Sequence, residues 1–465
     1  MAASTTKLRR LQTSYKDRSS RFTAQKDFSF DRQYFHTYGA RLEHYRSKLE
    51  DVARSTWGKD VPLVRLADLE EGVVCAVAGT MFKCQSLKPS ILKAMSEELN
   101  VLPQPIDAGK LLSEDDSIVL EDEIQRVTLV GEILNDEFVS GIPIAVKGVQ
   151  NDEGKFVVEA HVFPKITILP EPVISGDQYV VFLSGLQFNS QDSVEDERTL
   201  VAFDLLVDWL AGTLGYNSQQ IASKSDNGFK ETEFVSKICR MIIAGNLISE
   251  SAQDTTRSLQ AKYIARNTQT NSVEAVAHGD QFLTKLAAFI DIDVMPGAYD
   301  PTNYLFPQQP LHRCILPNAG KYTTLHTVTN PYEAEIAGCR ILGTSGQNVN
   351  DIRKLCELNN SVDILERLLN WSHLCPTAPD TLGCFPFYTT DPFIIEECPH
   401  IVFAGDQPML DWKLITHEQT TDDTRSSSTM TCKTLLLSLP SFRKTAIAAL
   451  VNLKNLDVMP IEFRL

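Results

Sequence analysis

Apolar positions along this chain recur with different spacings, and each spacing predicts a different kind of element. Between Asp31 and roughly Trp57 they fall at Tyr34, Tyr38, Leu42, Tyr45 and Leu49, in steps of three and four. Those steps place them on one face of a helix, and that face needs a partner in the same chain or in another. From Gly72 to Phe82 the pattern becomes a short apolar run, and further runs follow at about Ile124–Ile133, Ile142–Val149 and Lys155–Phe163. The last two flank Asn151-Asp-Glu-Gly154, which reads as a hairpin turn. A helix opened by Pro89 and closed near Asn100 interrupts the series, ahead of Pro103 and Pro105.

From Gln178 onward the pattern alternates between strands and helices, as in an α/β sandwich. Tyr179–Leu183 is a buried strand ending in Ser184-Gly185-Leu186, and a helix over about Glu195–Leu214 gathers Leu200, Phe203, Leu206, Val207 and Leu210 on one face. Cys239–Ala244 is the next strand, ending in Gly245-Asn246, and a helix over about Ser272–Ile290 leads to a strand that stops at Pro296-Gly297. Later strands are expected at Cys339–Gly343, His400–Ala404, Leu435–Leu439 and Ala446–Leu453, with His417–Thr431 as a polar flexible loop. Several short strands with turn residues and one long insertion over 59–172 suit a small barrel, for which an OB fold is the natural candidate. Residues 1–26 are polar and without periodicity, which predicts a disordered basic arm, and 27–58 form the helical segment.

Composition narrows the function classes. The net charge is −16, unevenly spread: residues 1–54 hold twelve Lys and Arg against six Asp and Glu, which leaves −22 on the other 411. A body that acidic is a poor autonomous binder of phosphate backbones, because affinity there comes from neutralising phosphates. The barrel's neighbouring runs Glu114-Asp-Asp116 and Glu121-Asp-Glu123 also lack the basic, aromatic face of a single-strand binder. The ten cysteines are scattered without a CxxC pair, which fits reduced thiols rather than a disulfide framework. No apolar run approaches the roughly 18 residues that span a bilayer, and the first ten residues carry no apolar core of a secretory signal. Lys7-Leu-Arg-Arg10 reads as a solvated basic tail or part of a nuclear-import signal.

The candidate chemistry lies at the strand–loop junctions. Two-metal phosphoesterases converge carboxylates and imidazoles from successive loops onto two ions about 4 Å apart. The junctions here resemble those of the calcineurin-like family, whose pattern is Asp-x-His, Gly-Asp-x-x-Asp, Gly-Asn-His-Asp and Gly-His-x-His. In their places stand Ser184-Gly185-Leu186, Gly245-Asn246-Leu247-Ile248-Ser249, Gly297-Ala298-Tyr299-Asp300 and Gly405-Asp406-Gln407-Pro408. Leu, Ala and Pro offer no side-chain ligand, and Ser or Asn alone does not hold two divalent ions. The glycines remain because they serve the backbone, and Leu186, Tyr299 and Pro408 are expected to fill the space left by ligands. His373, Cys375, Cys384, Cys398 and His400 also cluster in sequence, but their spacing matches no familiar zinc site and buried free cysteines are commonplace. Neither a P-loop nor a GxGxxG following a strand occurs.

Longer runs carry a more specific resemblance: Leu102-Pro-Gln-Pro105, Ser272-Val-Glu-Ala-Val276, Asp293-Val-Met-Pro-Gly297, Asp300-Pro-Thr-Asn-Tyr304, Pro307-Gln-Gln-Pro-Leu-His312, Gly343-Thr-Ser-Gly-Gln-Asn-Val349 and Pro376-Thr-Ala-Pro-Asp-Thr-Leu-Gly-Cys384. In these, over about residues 28–465, the chain resembles the second (B, small accessory) subunits of eukaryotic DNA polymerase delta, within the DNA polymerase B-subunit family. The resemblance implies an OB-fold domain packed on an inactive calcineurin-like α/β sandwich, the latter over 173–465. It implies a non-catalytic nuclear scaffold for replication and repair synthesis, with polymerase activity in the partner catalytic subunit. That subunit's C-terminal cysteine-rich region, with its zinc or iron–sulfur cluster, would dock on one side and the third, clamp-recruiting subunit on the other. The sliding clamp and DNA would be reached only through the complex, with no membrane contact. No catalytic, cofactor-binding or metal-binding residue is assigned to this chain, and no cofactor. Two rival readings are an active metal-dependent phosphoesterase or nuclease, as in the related small subunit of archaeal D-family polymerase, and a single-stranded DNA-binding OB protein.

Overall fold

The computed structural model describes residues 10–24, 29–31, 33–88, 109–133, 137–189, 197–214, 231–252, 271–421 and 428–464. In chain order these form β1 (Tyr15–Asp17), α1 (Phe35–Trp57), β2 (Leu63–Val64), β3 (Val74–Cys84), β4 (Ser117–Glu121), β5 (Arg126–Gly131), β6 (Ile142–Gln150) and β7 (Phe156–Val162). There follow β8 (Tyr179–Leu183), α2 (Glu197–Ala211), α3 (Glu231–Ser236), β9 (Ile238–Ala244), α4 (Asn271–Ala287), β10 (Asp291–Met295), β11 (Leu325–Thr327), β12 (Tyr332–Ile336) and β13 (Cys339–Thr344). The last elements are α5 (Gln347–Leu355), α6 (Ser361–Asn370), β14 (Ile401–Gln407), β15 (Asp411–Thr421), β16 (Ser428–Pro440), α7 (Phe442–Thr445), β17 (Ile447–Asn452) and β18 (Val458–Glu462). No described helix is long and apolar enough to cross a membrane. The expected helix from Pro89 to Asn100, and the Leu102–Pro105 run, lie outside the described residues.

The chain divides into two compact units, one of Met1–Ala24, Ile168–Gln347 and Pro399–Leu465, the other of Gln25–Thr167 and Asn348–Cys398. In the second unit the strand order is β2-β3-β4-β5-β7-β6, and an additional β3–β6 pairing closes five of the strands into a barrel. Pairing within the barrel is antiparallel except between β5 and β7. Helix α1 sets Tyr45, Leu49 and Ala53 against Ala145, with Ala78 and Val162 alongside, so its own barrel is its partner. Gly58, at φ 83° just past the helix, ends it with an N–H to the Arg54 carbonyl.

Residues 348–398 fall in the barrel unit, whereas the sequence placed all of 173–465 in one domain. They hold a fully buried charge cluster: Arg41 of α1 donates to Asp391 Oδ2 at 2.7 Å and to the carbonyls of Gly141, Pro376 and Ala378. Burial would raise the Asp391 carboxyl, but Arg41 and His373 outweigh it and hold it well below the usual carboxylate range. His373 Nε2 lies 2.9 Å from Asp391 Oδ2, and its Nδ1 accepts from the Cys375 N–H. Local periodicity carries no trace of such a long-range assembly.

The first unit is built on two six-stranded sheets, β11-β10-β9-β8-β17-β18 and β1-β12-β13-β14-β16-β15. Strands β8 to β11 run parallel, as do β13, β14 and β16. Alternation decides which layer each side chain joins. Val180 and Phe182 of β8 point into a core shared with Ile341, Phe403, Leu435 and Leu437 of the other sheet. Val181 and Leu183 point the other way, onto Phe203 and Leu206 of α2 and Leu283 and Leu286 of α4. With both faces covered, the strand reads as a continuous apolar run rather than an alternating one.

Two expectations are corrected. Residues 10–24, assigned to a disordered arm, are ordered: β1 pairs antiparallel with β12, and Arg10 donates to four backbone carbonyls. The order comes from these long-range bonds, which no local pattern announces. The polar stretch 417–431 is not simply a loop, because 417–421 and 428–431 belong to β15 and β16. Its threonines are β-branched and suit a strand, and the ladder running from Asp411↔Ser438 to Thr421↔Ser428 holds them.

Candidate functional site

Parallel strands deliver their following loops to one end of a sheet, which is where α/β proteins place binding groups. In the sandwich unit, β8, β9, β10 and β14 do so with the four loops singled out from the sequence, and hydrogen bonds tie these together. Ser184 Oγ donates to the Ala244 carbonyl at 2.6 Å and accepts from the Asp406 N–H at 2.9 Å. The Gly185 N–H reaches the Gly245 carbonyl at 3.0 Å. Asn246 Nδ2 donates to Asp406 Oδ2 at 2.8 Å, and Gln187 Nε2 stands 3.5 Å from Asp406 Oδ1. These junctions meet at one place, and what meets there is mostly hydroxyl, amide and backbone.

Close backbone approach explains two of the glycines. A Cβ on Gly297 would lie 2.2 Å from the Asn246 backbone N, and one on Gly405 would lie 2.3 Å from the Ala244 carbonyl. Three non-glycine residues beside them take left-handed backbone: Gln187 at φ 49°, Asn246 at 55° and Asp406 at 49°. Asn and Asp tolerate that region better than most residues, and its recurrence at one site marks a tightly determined loop cluster.

The carboxylates of the cluster are already engaged. Asp300 accepts from the Ile248 N–H at 3.0 Å and the Gly297 N–H at 2.7 Å. Complete burial raises its carboxyl to about 6, against the lowering by surrounding backbone N–H groups. Burial also raises Asp406, opposed by Lys444 and by the Asn246 amide. Tyr299 is raised by burial and then by neighbouring Glu250, to which it hydrogen-bonds. A polar girdle outside the sequence reading completes the loops. Ser345 Oγ donates to the Pro296 carbonyl, Gln308 Nε2 to the Gly297 carbonyl, and Asn330 Nδ2 to Gln308 Oε1. Gln308 and Ser345 do fall inside the runs that carried the family resemblance, which was the available signal.

The residues expected to fill the space between these loops part company. Leu186 is fully buried in the apolar cluster with Phe188 and Phe203, Tyr299 is half-buried, and Ala298 and Pro408 are exposed. Pro408 is therefore not buried in the site and stands in a bend at the end of β14. Among the described residues no group of three or more His, Cys, Asp or Glu is placed to hold a metal ion. Cys375, Cys384 and Cys398 are buried free thiols. His400 uses both ring nitrogens, Nδ1 accepting from the Arg340 N–H and Nε2 lying 3.2 Å from the Pro170 carbonyl.

Comparison with known proteins agrees with this architecture. Residues 33–161 match the family described as DNA polymerase delta subunit OB-fold domain, and 180–411 match the B-subunit family of DNA polymerases alpha and epsilon. The barrel is thus an OB-fold domain. A DNA polymerase delta small subunit from Oryza sativa subsp. japonica is 35% identical over 461 residues, covering 98% of this chain and 99% of its own. DNA polymerase delta subunit 2 of Drosophila melanogaster is 35% identical over 460 residues, covering 98% of each. The DNA polymerase II small subunit of the archaeon Archaeoglobus fulgidus is 25% identical over 307 residues, covering 62% of this chain and 55% of its own.

Proposed function

The chain belongs to the family of DNA polymerase delta small subunits, and we propose that within that polymerase it is a non-catalytic scaffold. In this reading the sandwich unit is a calcineurin-like phosphoesterase fold that has lost its metals and kept its loops. The chain bridges the cysteine-rich C-terminal region of the catalytic subunit and the third, clamp-recruiting subunit, in nuclear replication and repair synthesis. DNA and the clamp are engaged through those partners rather than by this acidic chain itself.

The observation that carries the reading is the chemistry of the loop cluster. Two divalent ions about 4 Å apart need several free carboxylates and imidazoles. The cluster offers Ser184, Leu186, Asn246, Ala298 and Pro408 at the corresponding positions, and Asp406 and Asp300 are bonded to Asn246 and to backbone N–H groups. Elemental analysis and a nuclease assay on the purified chain test it, with no stoichiometric Mn, Zn or Fe and no phosphodiester hydrolysis expected. Two metal equivalents retained through chelation, or hydrolysis abolished by changing Asn246 and Asp406, would overturn it. An affinity pull-down with the partners identified tests the bridging half.

A further inference from the structure

Strand β15 ends its sheet, and among the described residues it pairs with β16 alone. Its register places Trp412 opposite Leu437 and Leu414 opposite Leu435. Directly opposed residues of an antiparallel pair project from the same face. Leu435 and Leu437 belong to the core between the two sheets, together with Phe182 and Val451 of the covering sheet. Trp412 and Leu414 therefore stand on the core face, yet they are 42% and 47% exposed while Leu435 and Leu437 are 0% exposed. Met409, just ahead of the strand, is 62% exposed. Among the described residues, the core face continues along β15 with Trp412 and Leu414 left partly exposed.

The strand carries charges that blunt an edge, Asp411, Lys413 and Glu418, but no backbone device of that kind. It carries neither proline nor bulge, and its ladder with β16 runs unbroken from Asp411 to Thr421. An eleven-residue edge with Trp412 and Leu414 on one face is a template for another strand. At the opposite edge of the same sheet the chain supplies that strand itself: β1 joins β12, and the basic residues Arg18 and Arg21 around it pair with Glu335 and Glu333.

We propose that β15 is the docking edge for an extended segment of another subunit. That segment adds a strand beside β15, with apolar side chains at every second position over Trp412 and Leu414 and basic residues flanking them. Charge selects the occupant: a second copy of this chain brings another −16, whereas a basic segment is attracted. The mode is β-augmentation, with main-chain bonds for affinity and the Trp412–Leu414 face for specificity. The proposal rests on the scaffold reading and locates one of its contacts.

Hydrogen exchange on the full-length chain, free and within its purified complex, tests the edge directly. Amides of 411–418 are expected to exchange at least tenfold more slowly in the complex. The double variant Trp412→Ala, Leu414→Ser is expected to recover at least tenfold less of one partner subunit while melting at the wild-type temperature. Equal exchange of 411–418 free and assembled overturns the proposal even if the variant misfolds. A free chain that dimerises with protection at 411–418 also overturns it, in favour of a second copy. Wild-type protein that recovers no subunit at all removes the scaffold reading, and this proposal with it.

Discussion

The two edges of the sandwich unit's second sheet are finished in opposite ways. At one edge, residues 10–24 form a strap whose β1 pairs with β12, and Tyr15 lays its ring 3.7 Å under the Arg240 guanidinium and stacks on His326. Arg240 is paired in turn with buried Asp293, which also accepts from the Tyr332 hydroxyl. At the other edge, β15 turns Trp412 and Leu414 toward a core position and leaves them half in water. The same sheet thus shows how an edge is closed from within the chain and what an edge looks like before it is closed. Polar anchoring does the closing, so the two ends should respond differently to substitution.

The largest effect is expected at Arg10. Its Nε donates to the Phe289 carbonyl, Nη1 to those of Val235 and Ile238, and Nη2 to that of Leu210. Leu210 and Val235 lie at the C-terminal ends of α2 and α3, and Phe289 lies just past α4, where helix dipoles are negative and carbonyls lack partners. One guanidinium therefore caps three helix ends, although burial lowers its own pKa. Arg10→Ala leaves those carbonyls short of a donor and is expected to cost about 2–3 kcal/mol, read as lost amide protection in β1 and β12. Trp412→Ala in the free chain should stay within about 0.5 kcal/mol. Equal losses at the two positions would erase the contrast between the edges.

A matched pair of substitutions sharpens it. Leu186 and Leu414 are both apolar side chains of the sandwich unit, 0% and 47% exposed respectively. Leu186→His buries a polar ring among Phe188, Phe203 and their neighbours without a designated partner, and is expected to cost roughly 1–3 kcal/mol. Leu414→His leaves the ring in water and should cost less than about 0.5 kcal/mol. Thermal melts of both variants decide. An unchanged melting temperature for Leu186→His would show the Leu186 position to be open to solvent after all.

What the sequence disclosed follows the same division. β8 was legible to the residue and β9 to within one, because doubly covered strands are mostly apolar, Arg240 apart, and run into glycine turns. The loop cluster was legible through those glycines, since Gly297 and Gly405 are required by close backbone contacts. The strap was not legible: the aromatic in its strand, Tyr15, is only half-buried, and its order comes from bonds between Arg10 and residues 200 or more positions away. Strand β15 was half missed because an edge strand need not be apolar on both faces. Residues 348–398 were placed with the rest of 173–465, while their place in the barrel unit is held by Arg41 and Asp391, 350 positions apart.

The smallest predicted effect lies on the rim of the strap. Arg18 donates to Glu335 Oε2 from Nε at 2.9 Å and from Nη2 at 2.5 Å, with about a third of each side chain exposed. Solvent screening holds such a pair to about 0.2–1 kcal/mol despite its two-pronged geometry. The hydrogen bond from Arg18 lowers the Glu335 carboxyl below its ordinary value. A carboxyl lowered by folding contributes stability that is present above its unfolded value, about 4.3, and lost as pH falls through the folded one. Amide exchange in β1, corrected for its intrinsic pH dependence, should therefore speed up modestly relative to β9 as pH drops from about 5 to about 3. Glu335→Gln should show the faster exchange already at pH 6 and little further change on acidification. If β1 protection in wild type instead holds constant to pH 3, the strap is kept by Arg10 and the Tyr15 stack alone, and the charge pairs at its rim contribute nothing to closing that edge.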